Sequence, residues 1–499
     1  MKILIGFIVA LSLISPTGAQ AFKRDKPQNT STLKTKIKKD ELIARLVNVI
    51  PRLIKDGDVP GLSIAVVRDS QVVWGRGFGV KNAETKEPVV DDTVFEAASL
   101  TKPVFAYGVL KLVEAGRLDL DAPLSKYLPE PYITGDERLN SITARRVLSH
   151  TTGFPNWRPA GQPLKIHFTP GEKFSYSGEG FVYLQRVVEH LTNQPLEQYM
   201  KTAVLDPLGM TNSSLVWQDR YDAMKATGHN TGGSPTGMRK PTKANAAASL
   251  HTTATDYAKF MIAIMQGTGL KKETIREMLS PQIKVDEGCR NCINSNSTGR
   301  LSSTVAWGLG WGLQQTEDGL SFWHWGDNNG DVHCYVVGFP AQKLGVVVFT
   351  NSGNGHSIIP SIISEAIGGS QPAIAWISYE PYNSPAKTLF KEILARGVVA
   401  VSQYKQRKKS GSGAPALDEA QTNRLGYWLL NKKKIDEAIE VFKMNTEDYP
   451  ASANVYDSLG EAYLAKGDKE RAIQNYQKSV ELNPGNENGV QALKKLREQ

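Results

Sequence analysis

A repeat with a period of 34 residues occupies the C-terminal part of this 499-residue chain. The positions that recur at this one offset are Leu425, Gly426, Ala438, Ile439, Phe442 and Pro450, which return as Leu459, Gly460, Ala472, Ile473, Tyr476 and Pro484. The small residues stand where two helices of one unit would touch, and a proline closes each unit. The period therefore predicts one helix pair per unit. Because one pair cannot bury its apolar face alone, the pairs must stack.

This pattern resembles the tetratricopeptide repeat. The resemblance implies an all-α region at residues 419–499, with repeats at 419–452 and 453–486 and a capping helix after them. Residues 388–418 are predicted to form one connecting helix and a flexible linker rich in Gly and Ser. Stacked repeats offer a concave surface to proteins. We therefore expect a site for a protein partner, and the basic residues before the repeats favour an acidic one.

The N-terminus has the composition of a secretory signal peptide over residues 1–21. Lys2 gives a positive start, residues 3–14 are apolar, and Ala19 and Ala21 offer small residues for cleavage. The apolar run is shorter than the about 20 residues that span a bilayer. We therefore expect an exported protein, periplasmic or secreted, with no transmembrane segment after cleavage.

The formal net charge of +9 is concentrated in two segments. Residues 23–40, nearly all of a basic N-terminal segment at 22–40, carry +5, and residues 403–434 carry +6. Without these segments and Lys2, the remaining residues carry about −3. A nucleic-acid partner is therefore not expected, because it would need a basic face on the folded domain.

Three cysteines are few for an exported chain of this length, so the fold does not depend on disulfides. Cys289 and Cys292 lie in a loop rich in Gly, Asn and Ser, as a local disulfide or as two inert thiols. Neither a thioredoxin-like setting nor a set of zinc ligands surrounds them. Cys334 lies in an alternating run and is predicted to be a buried strand residue. We expect no metal and no organic cofactor.

The pattern Ser-x-x-Lys at Ser99 and Lys102 can activate a serine without a histidine. Residues i and i+3 of a helix lie on one face, and a neutral lysine amine can accept a seryl proton. The pattern occurs four times, but only at Ser99 does an apolar helical run follow a strand-like segment. Two interpretations of Ser99 stay open at this point: an N-cap residue of that helix, or a nucleophile beside the positive end of its dipole.

Strand-like runs occur at both ends of the first domain. Residues 62–68 and 71–78 form a first pair, and further runs lie between residues 308 and 349. Short turns rich in Gly, Asp, Pro and Asn separate them, which is typical of antiparallel hairpins. Helical and loop-rich sequence lies between these two groups. The order predicts an α+β domain in which one antiparallel sheet, flanked by helices, joins its first and last parts.

Tyr176 is the second residue with a chemical interpretation. It follows a Thr-Pro-Gly turn and is either a core aromatic or a phenol that exchanges a proton with Ser99 and Lys102. Nothing in its own segment decides between the two.

A third segment ends a predicted strand with His324, Trp325 and Gly326. A donor or cation at the first position, with no side chain at the third, would let a substrate backbone lie against the strand edge. The backbone N–H of Asp327 would then pair with that of Ser99 as an oxyanion hole. The tryptophans of this segment either line the cleft or pack in the core.

The order and spacing of these three elements resemble the class C β-lactamase and penicillin-binding-protein superfamily of serine hydrolases. Segments at 61–67, 116–121, 148–153 and 307–312 support the resemblance, which covers a domain predicted at 41–387. It implies a β-lactamase/transpeptidase-like fold. The implied roles are nucleophile for Ser99, general base for Lys102, proton transfer for Tyr176, electrostatic contact with the substrate for His324, substrate binding for Trp325 and Gly326, and backbone oxyanion donor for Asp327.

Two positions depart from the pattern of that family. Its tyrosine motif usually ends in Asn, whose amide contacts the lysine and the acyl amide of the substrate, and here the residue is Gly178. Its strand motif usually starts with Lys, and His324 weakens the fixed positive charge at neutral pH. Both changes resemble the esterase and D-aminopeptidase branches more than the dedicated β-lactamases.

The sequence therefore predicts an exported serine hydrolase that acts through a Ser acyl-enzyme on small esters or on amides and peptides. A β-lactamase or cell-wall D,D-peptidase of the same fold is one alternative. Another is a binding or scaffold protein with an inert hydrolase domain, which acts through its repeats. The intact Ser99, Lys102 and Tyr176 argue against the scaffold. If the protonation of His324 matters, activity is expected to change through the histidine titration range.

Overall fold

The computed structural model describes residues 32–287, 289–293, 300–411 and 415–498. The predicted signal peptide, the first part of the basic segment and the centre of the predicted Gly/Ser linker lie outside these residues. Within the described ranges, no helix is both long and apolar enough to cross a membrane.

An antiparallel sheet forms the centre of the first domain. The strands of the described chain are β1 (Gly61–Arg68), β2 (Gln71–Gly79), β3 (Phe95–Glu96), β4 (His251–Thr252), β5 (Ile283–Asp286), β6 (Leu301–Trp307), β7 (Gly312–Thr316), β8 (Gly319–Asn328), β9 (Val332–Phe339) and β10 (Leu344–Thr350). The main sheet has the order β2-β1-β10-β9-β8-β7-β6-β5, and β3 pairs with β4 apart from it. The first and last parts of the sheet meet as predicted, because Val66 on β1 lies opposite Val346 on β10.

Helices cover this sheet and continue beyond it. They are α1 (Lys39–Asp56), α2 (Thr101–Glu114), α3 (Ala144–Leu148), α4 (Gly178–Thr192), α5 (Leu196–Met200), α6 (Tyr221–Met224), α7 (Ala254–Gln266), α8 (Lys272–Met278), α9 (Ile359–Ala366), α10 (Pro372–Ile377), α11 (Pro385–Arg396), α12 (Val398–Lys409), α13 (Glu419–Asn431), α14 (Ile435–Asp448), α15 (Ala453–Lys466), α16 (Lys469–Leu482) and α17 (Glu487–Arg497). A 3₁₀ turn at Ala98–Leu100 leads directly into α2.

The two faces of the sheet enter two separate apolar clusters. Along β1, Leu62, Ile64 and Val66 belong to one cluster, whereas Ala65 and Val67 belong to the other, as the two-residue period of a strand requires. The first cluster includes buried residues of α1, α9 and α10, and the second includes those of α2, α4 and α7. The sheet is therefore the middle layer between two layers of helices.

The sequence of α1 fits its position on the sheet. Its buried residues, Leu42, Leu46, Ile50 and Leu53, are three or four positions apart and so form one stripe along the helix. Full burial of an aliphatic side chain of this size contributes about 1.5–3 kcal/mol. Packing of this stripe therefore holds α1 against β2, close to it in the sequence, and against α9, which is distant in the sequence.

Three strands were not predicted from the sequence: β4, β5 and β6. β5 and β6 pair with Ile283 opposite Trp307, and the loop between them carries a disulfide between Cys289 and Cys292. The run predicted from residue 308 becomes a strand only at Gly312, because the preceding residues form the connection from β6. At Gly310, where φ is +82°, a Cβ atom would lie 2.4 Å from Cβ of Ala106 on α2. This connection therefore packs directly on α2 and only glycine fits there.

The C-terminal region differs from the prediction at its start. The predicted repeats are present as α13–α14 and α15–α16, followed by α17, but α11 and α12 form a further helix pair before them. The prediction of a single connecting helix in 388–418 was therefore wrong. Buried residues of α11 and α12, among them Leu389, Ile393, Val401 and Tyr404, share one apolar cluster with the repeats. This pair brings the stack to the about three units that a continuous core needs.

The glycines of the repeats lie at the helix contacts that the sequence predicted. A Cβ atom at Gly426 would lie 2.4 Å from the ring of Phe442, and one at Gly460 would lie 3.1 Å from the ring of Tyr476. Each glycine thus lets an aromatic ring of the second helix approach the backbone of the first.

Polar contacts also join the helical region to the first domain. Arg424 of α13 forms an ion pair with Glu380 at 2.8 Å. Lys432, just after α13, donates a hydrogen bond from Nζ to the carbonyl oxygen of Gly232 at 2.8 Å. The repeats therefore rest on the first domain through defined contacts.

The shared cluster predicts how truncation will act. A chain that ends after residue 384 keeps both clusters of the first domain complete, and we expect it to remain soluble and folded. A chain that ends after residue 409 leaves the apolar side of α11 and α12 uncovered, so we expect more aggregation in size-exclusion chromatography and a lower melting temperature. Equal behaviour of the two truncated chains would show that the α11–α12 pair does not depend on the repeats.

Candidate active site

Ser99 lies in the 3₁₀ turn between β3 and α2 and is partly exposed. The residue before it, Ala98, has a φ of +48°, a left-handed conformation that a residue with a side chain seldom adopts. The N-cap of α2 is Leu100, which has no side-chain capping bond. The N-cap interpretation of Ser99 is therefore not supported, and its hydroxyl remains available at the start of the helix.

Lys102 is fully buried below Ser99. Its Nζ lies 3.1 Å from Oγ of Ser99 and donates a hydrogen bond to the carbonyl oxygen of Ala247 at 2.9 Å. Among the described residues, no carboxylate forms an ion pair with this amine. Burial alone therefore lowers the pKa of Lys102 to about 7. A large fraction of the amine is neutral at neutral pH, as a proton acceptor for Ser99 must be.

Tyr176 lies on the other side of the lysine, with its ring centre 4.7 Å from Nζ of Lys102. Burial raises the pKa of Tyr176 well above its usual value, and the nearby Ser99 opposes only part of that rise. The phenol therefore stays protonated. Its hydroxyl does not reach full hydrogen-bond geometry with any described residue, so it is free to act as a donor in this cluster.

Backbone contacts fix the position of Tyr176. The N–H groups of Ser175 and Ser177 donate to the carbonyl oxygen and to Nδ1 of His150, each at 2.9 Å. The imidazole of His150 also stacks on the Tyr176 ring, with centres 4.2 Å apart. The N–H of Tyr176 itself donates to the carbonyl oxygen of Arg290, in the disulfide loop, at 2.9 Å. His150 is thus a positioning residue for the tyrosine.

His324, which the sequence analysis expects to weaken the fixed positive charge, is buried on β8. It is fully buried there, and its Nδ1–H donates to the carbonyl oxygen of Trp325 at 2.7 Å. Burial, and then the nearby charge of Lys102, lower the pKa of His324 to about 3. The imidazole is therefore neutral at physiological pH and offers no fixed positive charge, while its contact with substrate stays a prediction. A strand pattern does not show which residues the neighbouring layer will cover.

Trp325 and Gly326 both lie against other residues of the protein. Trp325 is only 7% exposed and packs against Tyr176, with ring centres 4.8 Å apart. At Gly326, a Cβ atom would lie 2.2 Å from Sγ of Cys334 and 2.6 Å from the carbonyl oxygen of Ala97. The space beside this glycine is filled by protein, not open to a substrate. Its function in the fold is to bring β8 against the turn that carries Ser99.

Asp327 follows this contact and lies at the exposed end of β8. The pairing of β7 with β8 ends at Trp323, so the last residues of β8 have no strand partner on that edge. On the other edge, Asp327 pairs with His333 of β9. The open edge thus ends beside Ser99, the place that the oxyanion interpretation requires.

A buried ionic network behind this turn was not found from the sequence. Arg239 contacts the carboxylate of Glu96 at 2.9 Å and that of Asp331 at 2.7 Å. Glu96 also accepts a hydrogen bond from Asn328, next to Asp327, and lies 3.7 Å from Nζ of Lys225. Burial would raise the pKa of Glu96, but Lys225 and Arg239 outweigh it and hold the pKa below its usual value. The network joins the Ser99 turn to both ends of the β8–β9 connection.

The fold and the pairing of Ser99 with the buried Lys102 together indicate a serine hydrolase. A sequence model of the Beta-lactamase family matches residues 43–358, and one of the tetratricopeptide repeat matches residues 453–486. The first match covers more than half of the chain. The protein therefore belongs to the Beta-lactamase family of serine hydrolases.

Individual relatives agree with this assignment. Protein flp of Staphylococcus aureus (strain MRSA252) is 26% identical over 326 residues, which are 61% of this chain and 62% of flp. Esterase EstB of Burkholderia gladioli is 32% identical over 208 residues, 35% of this chain and 52% of EstB. The chain thus spans less than two thirds of the length of these relatives.

Two solved structures share the fold. D-alanine carboxypeptidase AmpC from Burkholderia cenocepacia superimposes with a TM-score of 0.54 at 21% identity, over 66% of this chain and 99% of AmpC. The octameric penicillin-binding protein homologue from Pyrococcus abyssi gives a TM-score of 0.53 at 23% identity, over 71% of this chain and 81% of its own.

The lowered pKa of Lys102 predicts the pH dependence of acylation. Below pH 7 the amine becomes protonated and cannot accept the seryl proton, so kcat/KM should fall about tenfold per pH unit below about pH 7 and level off above it. The neutral His324 should not contribute. His324→Asn, whose amide can keep the bond to Trp325, should therefore retain the same inflection in the pH profile. An inflection that disappears in this variant would show that the histidine titrates after all.

The network predicts a remote effect of Arg239. Arg239→Ala removes the ion-pair partner of the buried Asp331 and leaves Glu96 with only Lys225. We expect a loss of about 2 kcal/mol in the free energy of unfolding, less than for a fully buried pair because the arginine is itself partly exposed. The shifted Ser99 turn should lower kcat about 10- to 100-fold. Lys240→Ala is the matched control, since Lys240 pairs only with the exposed Asp222. Equal effects of both substitutions on kcat would contradict this assignment.

Proposed function

We propose that the protein is an exported serine hydrolase that forms an acyl-enzyme on Ser99 and acts on small esters or on amides and peptides. The distance of 3.1 Å between Nζ of the buried Lys102 and Oγ of Ser99 is the observation that carries this proposal. A lysine whose pKa is lowered to about 7 is matched to proton transfer at neutral pH. Export rests on the signal-peptide composition of residues 1–21.

In this mechanism Oγ of Ser99 attacks the carbonyl carbon while its proton passes to Nζ of Lys102. The carbonyl oxygen becomes an oxyanion, which the N–H groups of Ser99 and Asp327 stabilise. Tyr176 gives its proton to the leaving oxygen or nitrogen and regains one from Lys102, which expels the alcohol or amine. Water then attacks the acyl ester, loses a proton to the same groups, and releases the acid and Ser99.

The surroundings of the catalytic residues favour esters over β-lactams. With His324 neutral and buried, no cation stands at the position where β-lactamases usually hold the carboxylate of a β-lactam. Gly178 removes the amide that usually binds the acyl amide of a substrate. The relative named esterase EstB supports this choice. A β-lactamase or D,D-peptidase activity is the alternative, and the carboxypeptidase activity named for the structural neighbour AmpC is in line with it.

The repeats add a second proposed role, binding of a protein partner beside the hydrolase. Their inner helices α13 and α15 would form the concave surface. The basic residues of α12 favour an acidic partner, which would compete with the ion pairs that Lys405, Arg407 and Lys408 form with Glu447, Glu392 and Asp448. In a scaffold with an inert hydrolase domain, the hydrogen-bonded pair of Ser99 and Lys102 would have no catalytic role.

Labelling with a fluorescent fluorophosphonate tests the proposal directly. The wild-type protein should be labelled, and Ser99→Ala should lose the label with an unchanged melting temperature. Ser384→Ala is the matched control: Ser384 and Lys387 repeat the sequence pattern, but the Ser384 side chain caps α11, so labelling should persist. Turnover of p-nitrophenyl esters against nitrocefin then separates esterase from β-lactamase. A wild-type protein without label would favour the scaffold.

A further inference from the structure

The loop at residues 155–158 is fastened to the start of α4, immediately after Tyr176. Ser177 donates from Oγ to the carbonyl oxygen of Pro155 at 2.9 Å. The N–H of Gly178 lies 3.0 Å from both the carbonyl oxygen and Oδ1 of Asn156. These bonds hold the loop against the tyrosine motif before the chain reaches Trp157.

The residue after Trp157 is fastened as well. Arg158 donates from its backbone N–H to Oε1 of Glu179 at 3.1 Å, and its guanidinium pairs with the same carboxylate at 3.1 Å. The Glu179 side chain is only 6% exposed. Trp157 therefore stands between two anchored neighbours, so that its backbone has little freedom beside the catalytic residues.

The indole of Trp157 occupies the third position of the tyrosine motif. A Cβ atom built at Gly178 would lie 2.8 Å from Cζ2 and Cη2 of Trp157. In the family this position usually carries the Asn whose amide faces the lysine and the acyl group of the substrate. The six-membered ring of the indole thus fills the volume from which that amide would act, and Gly178 is the residue that leaves room for it.

Trp157 is also accessible. It is 46% exposed and is the one tryptophan among the exposed large apolar side chains of the described residues. A single exposed apolar residue on a surface needs no explanation by itself. Here the exposed ring lies against Gly178, two residues after Tyr176, whereas Trp325, which packs on that tyrosine, is buried. The exposed ring therefore lies at the start of α4, directly after the tyrosine motif.

We propose that Trp157 selects the acyl group of the substrate, and that the preferred substrates are esters of apolar or aromatic acids. This inference rests on the proposed function of Ser99. An amide at this position would pair with the polar acylamino group of a peptide or β-lactam. The indole offers an apolar face and a single N–H donor instead. An apolar acyl chain therefore binds more favourably, whereas a peptide-like acyl group loses a hydrogen bond.

Two esters with the same leaving group test the proposal: p-nitrophenyl acetate and p-nitrophenyl phenylacetate. Contact with the indole and the apolar area buried on it should give the phenylacetate the higher kcat/KM. Trp157→Ala should remove this advantage and lower kcat/KM for the phenylacetate about tenfold, by raising KM. Hydrolysis of the acetate should stay within about twofold. Trp157→Phe should keep most of the preference. Trp157→Gln keeps a long side chain in the loop but makes it polar, and it should behave like the alanine variant. It controls for a change of loop structure in Trp157→Ala.

Trp74→Ala provides a matched control. Trp74 lies on β2, the edge strand of the main sheet at the end opposite to β5, and its substitution should leave the ratio of kcat/KM for the two esters unchanged. An unchanged ratio in Trp157→Ala, or equal losses in kcat for both esters, would overturn the inference while the proposed function stands. A wild-type protein that hydrolyses neither ester and takes no fluorophosphonate label would overturn the proposed function, and this inference with it.

Discussion

The burial of Lys102 without a counter-charge is the constraint on which the site depends. An ammonium group removed from water needs a partner or must give up its proton. Lys102 has only the carbonyl oxygen of Ala247 and the hydroxyl of Ser99 within hydrogen-bond distance among the described residues. The fold therefore lowers the pKa of Lys102 to about 7, so that the amine loses its charge near neutral pH. A carboxylate beside it would restore the charge and with it the affinity for the proton, and the amine would no longer accept one from Ser99.

Close backbone approach is what keeps water and counter-charges out. Helix α2 shares its apolar cluster with α4, α7 and one face of the sheet, and at two points a glycine replaces a side chain that would hold neighbouring segments apart. Gly310 admits Ala106 of α2, and Gly326 admits Ala97 and Ala98 of the Ser99 turn. The same packing that buries Lys102 also buries His324, since both lie between β8 and α2. A dry environment for the lysine and a neutral histidine thus have one physical cause.

Local parts of the site could be read from the sequence, and the parts that depend on distant contacts could not. Ser99 and Lys102 are three residues apart, so helical geometry alone places them together. The burial of His324 could not be predicted, because burial is decided by packing between layers that no strand pattern reveals. Arg239 was missed because its partners Glu96 and Asp331 lie 143 and 92 positions away. The α11–α12 pair was missed because it lacks the recurring residues of the repeats while sharing their core.

The two departures from the family pattern act in the same direction, although they lie on different elements. At Gly178 the Asn usual in the family is absent, and the indole of Trp157 lies there at the start of α4. On β8 the usual Lys is replaced by His324, whose ring is buried and neutral. Neither change touches the bond between Lys102 and Ser99. Proton transfer is set by two residues within one helical turn, whereas recognition is set by a loop and a strand end that can vary independently. The polarity of the cleft can therefore change while the acyl-transfer chemistry is retained.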